Sequence, residues 1–211
     1  MKNILFILCL CFSLQTFAQY DWTEGTLYLK DGTVKEGLIK FPKVSKDLIA
    51  FNGKQKVRFK KSKKEKKEKF DHTQVAKIVF TYADSETAIY QYIAVSEKMY
   101  QLFKVITEGN ITLYARTVSY TTSSAVFFPG TLQPVTYDFN DFDEFYILKK
   151  GEKIALPLIT MRISRSFKKR ALEYFADCPR VVAKLKDKSY REQDVRTVVR
   201  AYNYCKQINN R

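Results

Sequence analysis

The sequence predicts an α+β protein: an N-terminal antiparallel β-rich barrel or roll, followed by a small C-terminal helical unit closed by a disulfide. Three observations carry this. Short runs rich in Val, Ile, Thr, Tyr and Phe recur at close spacing as far as Lys149, the apolar period turns helical after Leu156-Pro157, and Cys178 and Cys205 both fall in the helical part. Many short strands separated by turn residues argue for an antiparallel barrel, roll or sandwich.

Residues Trp22–Phe41 read as two strands joined by Asp31-Gly32, a strong hairpin signal because both turn positions of the tightest hairpin need positive φ. Further strand candidates are Asp47–Phe51, Gln55–Phe59, Val75–Tyr82, Ala88–Ala94, Tyr100–Thr107, Ile111–Val118, Thr136–Phe139 and Glu144–Lys149. Between them lie turn residues such as Asn52-Gly53, Glu108-Gly109-Asn110 and Lys150-Gly151. Two segments interrupt the series. One is the lysine-rich stretch 54–69; the other, Ser119–Pro134, has turn composition and is expected to run as a long mobile connection or as a partner-touching loop.

Beyond Pro157 the apolar residues Phe167, Ala171, Leu172 and Phe175 follow a helical period. Asp177-Cys178-Pro179 breaks that helix and starts a second, carrying Val181, Val182 and Leu185, with Pro179 suited to a first helical position. In the third helix Val195, Val198, Val199 and Tyr202 make one apolar stripe, with Arg196, Arg200 and Lys206 off it.

At the N-terminus, Lys2, the apolar run Ile4–Leu14 and Gln15-Thr16-Phe17-Ala18 have the layout of a cleavable signal peptide ending at Ala18. The run is too short for a bilayer, which takes about 20 residues, and no second run approaches that length. The mature chain is therefore expected to be exported, to the periplasm or the cell surface, with no transmembrane span and no lipid anchor, since Cys9 and Cys11 follow leucines. The organisation expected is a signal peptide over 1–18, a β-rich domain over 19–157 and a helical unit over 158–211. Export leaves Cys178 and Cys205 in an oxidising compartment, where a bond between them would add about 3–4 kcal/mol by constraining the unfolded chain. The alternative is two buried free thiols.

The formal charge is +15, and its distribution is uneven. Residues 54–69 sum to +8 and residues 162–211 to +9, while 19–53 sum to zero and 70–161 to −3. Two basic segments thus stand on a neutral body, and such segments attract polyanions. Lys60, Lys61, Lys63, Lys64, Lys66 and Lys67 are the candidate polyanion contacts. The competing reading is a solvated loop or hairpin tip. Single-strand nucleic-acid binders also use aromatic platforms, and no aromatic lies between Phe59 and Phe70, so nucleic acid is not the expected partner.

Catalytic motifs are few. The one histidine, His72, has no zinc-ligand spacing around it, and neither a nucleophile elbow nor a phosphate-cradling glycine loop occurs. Tyr137–Glu144 holds carboxylates that could serve calcium or a carboxylate-dependent hydrolase centred on Asp141 and Asp143. An EF-hand starting at Asp138 fails at Phe142 and Asp143, and a charged turn between strands is the plainer reading. No cofactor is expected.

Several phrases occur together: the Leu29–Gly37 turn, Val105-Ile-Thr-Glu-Gly-Asn-Ile-Thr-Leu-Tyr114, Phe145-Tyr-Ile-Leu-Lys-Lys-Gly-Glu152, and Phe167-Lys-Lys with Tyr174–Pro179 and Val199–Cys205. In combination they resemble an uncharacterised group of exported proteins from Bacteroidetes, whose signal peptides often end in Phe-Ala-Gln as here. The resemblance implies a β-rich body with a disulfide-closed helical end, and no activity. The leading expectation is a non-enzymatic binding module of the cell envelope that contacts polyanionic surfaces. Its rivals are an envelope protein that binds another protein, with its charges serving solubility only, and the carboxylate-dependent hydrolase.

Overall fold

The computed structural model describes residues 22–41, 55–82, 85–124, 136–161 and 166–209, with the side chains of 119–124, 136–141 and 209 left out. The expected signal peptide and the strand candidate Asp47–Phe51 lie outside the described residues. Ten strands form one antiparallel sheet: β1 Thr23–Leu29, β2 Val34–Lys40, β3 Val57–Lys60, β4 Glu68–Phe70, β5 Val75–Thr81, β6 Thr87–Ser96, β7 Met99–Thr107, β8 Ile111–Ser124, β9 Thr136–Lys149 and β10 Leu156–Ile159. Their order is β10-β9-β8-β7-β6-β5-β1-β2-β3-β4, two meanders joined where β5 pairs with β1. The sheet is open, so the expected alternative of a closed barrel is not realised. Three helices follow, α1 Phe167–Tyr174, α2 Pro179–Lys186 and α3 Val195–Asn209, the last entered through a 3-10 turn at Glu192–Asp194.

The first hairpin forms as expected, with a different turn. Only Gly32 takes positive φ, at 89°. Leu29 and Thr33 close a three-residue loop, in which the Asp31 carboxylate accepts the Thr33 N–H. Ser119–Pro134 is corrected further. β8 continues through Ser124 and β9 begins at Thr136, paired from Ile111↔Lys149 to Ser124↔Thr136. The Thr and Tyr residues there suit a pleated ribbon, and a long partner strand overrides their turn-like composition. Residues 125–135 lie outside the described residues. The acidic run Tyr137–Glu144 is likewise strand, not the expected turn.

The sheet coils on itself. Gly25 and Gly37 face each other across β1 and β2. A Cβ at Gly25 would stand 2.7 Å from the Phe80 ring, and one at Gly37 would collide with the Lys60 carbonyl, so only glycine lets the chain pass this closely. The coiling brings Phe41 against Phe80 and Tyr90, with centroids 5.3 and 4.7 Å apart, and lets the Tyr92 hydroxyl donate to the Gln55 carbonyl at 2.7 Å. Burial pushes the Tyr92 hydroxyl pKa well above its ordinary value, and the negative charge of Asp71 adds to the rise. The core here is Leu27, Ile39, Val57, Phe59, Phe70, Val75, Ile78 and Phe80.

The helices cover the other end of the sheet. Ile111, Leu113, Ile147, Leu158 and Ile159 form one buried cluster with Phe167, Ala171, Phe175, Val181, Leu185 and the expected α3 stripe of Val195, Val198, Val199 and Tyr202. Ser166 caps α1 by accepting from Lys169 N, and Pro179 opens α2. One polar contact sets where α3 sits. β7 pairs with β8 no further than Thr107↔Leu113, and the buried Asn203 amide takes both backbone groups of Ile111, accepting its N–H at 2.8 Å and donating to its C=O at 2.9 Å. A Cβ on Gly109 would lie 2.5 Å from the Asn203 amide nitrogen, so the approach needs glycine there.

The expected disulfide joins Cys178 and Cys205, with Cα atoms 6.4 Å apart. Beside it Lys206 Nζ lies 2.6 Å from the Asp177 carboxylate, which also accepts the Tyr202 hydroxyl at 3.0 Å. Burial raises the Asp177 pKa, but the hydrogen bonds from Lys206 and Tyr202 together outweigh it and hold the carboxyl below the ordinary range. Burial, followed by the contact with this carboxylate, pushes the Tyr202 hydroxyl up to about 12.

Three outcomes follow. Asn203→Leu strands two buried backbone groups at a cost on the order of 1–3 kcal/mol each, and Asn203→Asp is no milder at neutral pH, because a buried carboxylate cannot donate to the Ile111 carbonyl and has no cation beside it; urea denaturation curves measure both losses. Replacing Cys178 and Cys205 together by Ala lowers unfolding stability by about 3–4 kcal/mol, and added reductant then changes nothing more. The depressed Asp177 pKa gives stability that is fully present above an unfolded-state value of about 4 and is lost as pH falls through the folded value. Asp177→Asn removes that part of the acid limb at a cost near neutral pH of at most about 1 kcal/mol, because the carboxylate is half exposed; acid titrations of the wild type and variant measure it.

Candidate polyanion-binding hairpin

The six candidate lysines sit on the hairpin between β3 and β4. Alternation anchors its base: Val57, Phe59 and Phe70 point into the core, with Val57↔Phe70 and Phe59↔Glu68 paired across the strands. Phe59 and Phe70 meet edge to face at 6.5 Å. Above them Lys35 on β2 places its ammonium 5.6 Å from both ring centroids and 3.0 Å from the Glu68 carboxylate. Lys60 lies half-buried, its ammonium 4.9 Å over the Trp22 ring. These contacts hold the hairpin stem.

The tip is solvated. Lys61, Lys63, Lys64, Lys66 and Lys67 are all exposed, and the turn is closed by the Glu65 N–H donating to the Ser62 carbonyl at 3.2 Å. Among the described residues none of these five pairs with a carboxylate, whereas Glu68 is taken by Lys35 and Asp71 by Lys56 at 3.7 Å. Asp71 also accepts the Thr73 hydroxyl and N–H, at 2.5 and 3.0 Å, and these contacts, the hydroxyl first, lower its pKa. Lys61 and Lys63 line a groove of about 620 Å³ that Glu24 and Glu36 also line, so part of their field is cancelled locally. Lys64, Lys66 and Lys67 stand outside it. The aromatic residues that brace the stem give the tip no stacking platform, and its chemistry is that of several mobile ammonium groups on a fixed base.

Of the acidic run, the two described carboxylates, Asp143 and Glu144, stand apart. Glu144 accepts two hydrogen bonds from Arg116, at 2.6 and 2.9 Å, on one face of the β8–β9 ribbon, while the neighbouring Asp143 accepts the Thr117 hydroxyl at 2.7 Å. Adjacent strand residues point to opposite faces, so these two acids cannot share a substrate. The side chains of Asp138 and Asp141 lie outside the described residues. His72 stacks on Tyr100 at 4.2 Å, and among the described residues no three His, Cys, Asp or Glu side chains gather to hold a metal. Trp22 and Lys35 escaped sequence reasoning. The available signal was Lys35 on the inward phase of β2, in register with Leu27. No protein-family model matches the chain, and neither a curated protein nor a solved structure matches it.

Proposed function

We propose that this is an exported, non-enzymatic module of the cell envelope that binds a polyanionic surface through the tip of the β3–β4 hairpin. The observation that carries the reading is the group of five exposed lysines without a carboxylate partner among the described residues, on a stem fixed by Phe59, Phe70 and Lys35. Clustered ammonium groups gain affinity by releasing counterions from a polyanion and need no single geometry to do so. The disulfide and the resemblance to exported Bacteroidetes proteins both support a location outside the cytoplasm. Acidic polysaccharide, lipopolysaccharide and anionic lipid head groups present the required charge there.

A second reading is favoured by the place of β4, a three-residue strand at the edge of the sheet. Lysines beside a short edge strand discourage edge-to-edge association, and on this reading they serve solubility while the partner is another protein.

Co-sedimentation with outer-membrane vesicles across a salt series separates the two. If the six lysines Lys60, Lys61, Lys63, Lys64, Lys66 and Lys67 meet phosphates, affinity falls with a logarithmic slope of roughly −4 to −5, by analogy with nucleic-acid counterion release. Changing all six to Gln should abolish the slope and most of the binding. Salt-resistant binding that the variant retains would sink the polyanion reading and leave the edge-protection one.

A further inference from the structure

The helical unit carries apolar surface at the margin of its core that its own side chains only partly cover. On α3, Ala201, Tyr204, Cys205 and Ile208 repeat the spacing i, i+3, i+4, i+7 and form a second stripe beside the buried one. Tyr204 and Ile208 are 59% and 52% exposed, a large apolar outlay for one solvated helix flank. Together with α2 and Tyr190 this stripe walls a groove of about 590 Å³. The charged side chains lining it are both basic. Arg180 and Lys184 are one turn apart on α2, so their heads rise on the same side, and Lys184 Nζ is held 5.0 Å over the Tyr190 ring. The groove thus has an apolar floor and a cationic rim along one wall.

Size selects among occupants. Specific protein partners engage roughly 20–30 residues a side, and this groove is built from nine. Its volume falls in the range of about 300–1,000 Å³ that small-molecule sites occupy. Apolar length with one negative end is the shape that matches both wall and rim. We propose that the groove binds a single-chain anionic amphiphile, a long-chain carboxylate, with its chain along Ala201, Tyr204 and Ile208 and its head group against Arg180 and Lys184. The site is separate from the lysine hairpin and does not depend on the reading given to it.

The test is calorimetric titration of the full mature chain with dodecanoate below its micelle concentration, repeated with decanoate and with neutral dodecanol. Saturable one-to-one binding is expected, tightening roughly tenfold per two methylenes if the added chain is buried. Ile208→Asp should weaken dodecanoate at least tenfold, and because residue 208 is half exposed the variant should keep its fold, checked by its unchanged urea midpoint. Arg180→Gln with Lys184→Gln should weaken dodecanoate and leave dodecanol unaffected. The variant with six hairpin lysines changed to Gln should bind dodecanoate as the wild type does, which separates this site from the hairpin. The proposal is overturned if dodecanoate does not bind saturably, if Ile208→Asp binds it equally, or if the hairpin variant alone loses it. It is also overturned if the face proves to bind phosphatidylglycerol vesicles but no free carboxylate, or if sedimentation shows a dimer that Ile208→Asp dissolves and dodecanoate leaves intact.

Discussion

The bond pair between the Asn203 amide and the backbone of Ile111 is the contact on which the arrangement of sheet and helices depends. Apolar burial supplies the larger energy, because the cluster from Ile111 to Tyr202 spans β8, β9, β10 and all three helices. Burial has no direction, however, and a Val-rich stripe could slide along the Leu and Ile side chains beneath it at little cost. A primary amide that donates from its NH2 on one side and accepts at its oxygen on the other, facing one C=O and one N–H, permits a single position. Gly109 and the Cys178–Cys205 link then act on α3 from two sides: the first admits Asn203, the second ties the helix to the start of α2.

The same division of labour appears at the hairpin. Phe59, Phe70 and Lys35 give the stem a defined place, and the tip lysines are left to water. Lys35 loses hydration beneath the hairpin, which the two aromatic faces and the Glu68 carboxylate offset, so it acts as part of the scaffold while its neighbours in charge do not. The basic segments lie toward the two ends of the strand order. One caps the β4 edge of the strand order and the other clothes helices laid on strands near the β10 edge, while the strands between are nearly neutral.

Much of this was legible in the sequence. The α+β class, the Asp31-Gly32 hairpin, the α3 stripe and the disulfide follow from period, turn chemistry and cysteine usage, which are local or countable. Where reading failed, the decisive partner was distant. Ser119–Ser124 has the composition of a loop until Thr136–Asp141 pairs with it. Glu68–Phe70 is too short to register as a strand without β3. Asn203 and Gly109 both lie in the phrases that carry the resemblance, yet nothing in either phrase shows that they touch, because the contact links residues whose positions the whole sheet sets. The second stripe on α3 was visible by spacing alone. It was masked by the stronger one beside it.

The β8–β9 ribbon shows how polar pairs complete what apolar pattern leaves open. Fourteen residue pairs join these strands, and beyond Val118 they are dominated by Ser, Thr, Tyr and acids, a composition that specifies register weakly. Arg116 and Glu144 meet where the ribbon leaves the core, with the arginine 5.3 Å over Phe103 and the glutamate only 3% exposed. A slip of one residue would turn Glu144 to the opposite face from Arg116 and leave a buried carboxylate without its cation. On the other face Thr117 and Asp143 repeat the constraint with a neutral donor. The cost of desolvating the ion pair argues against stability as its main contribution, and its position at the boundary between a packed and a polar ribbon gives it a second one: it holds all the pairs beyond it in the register that the hydrophobic half establishes.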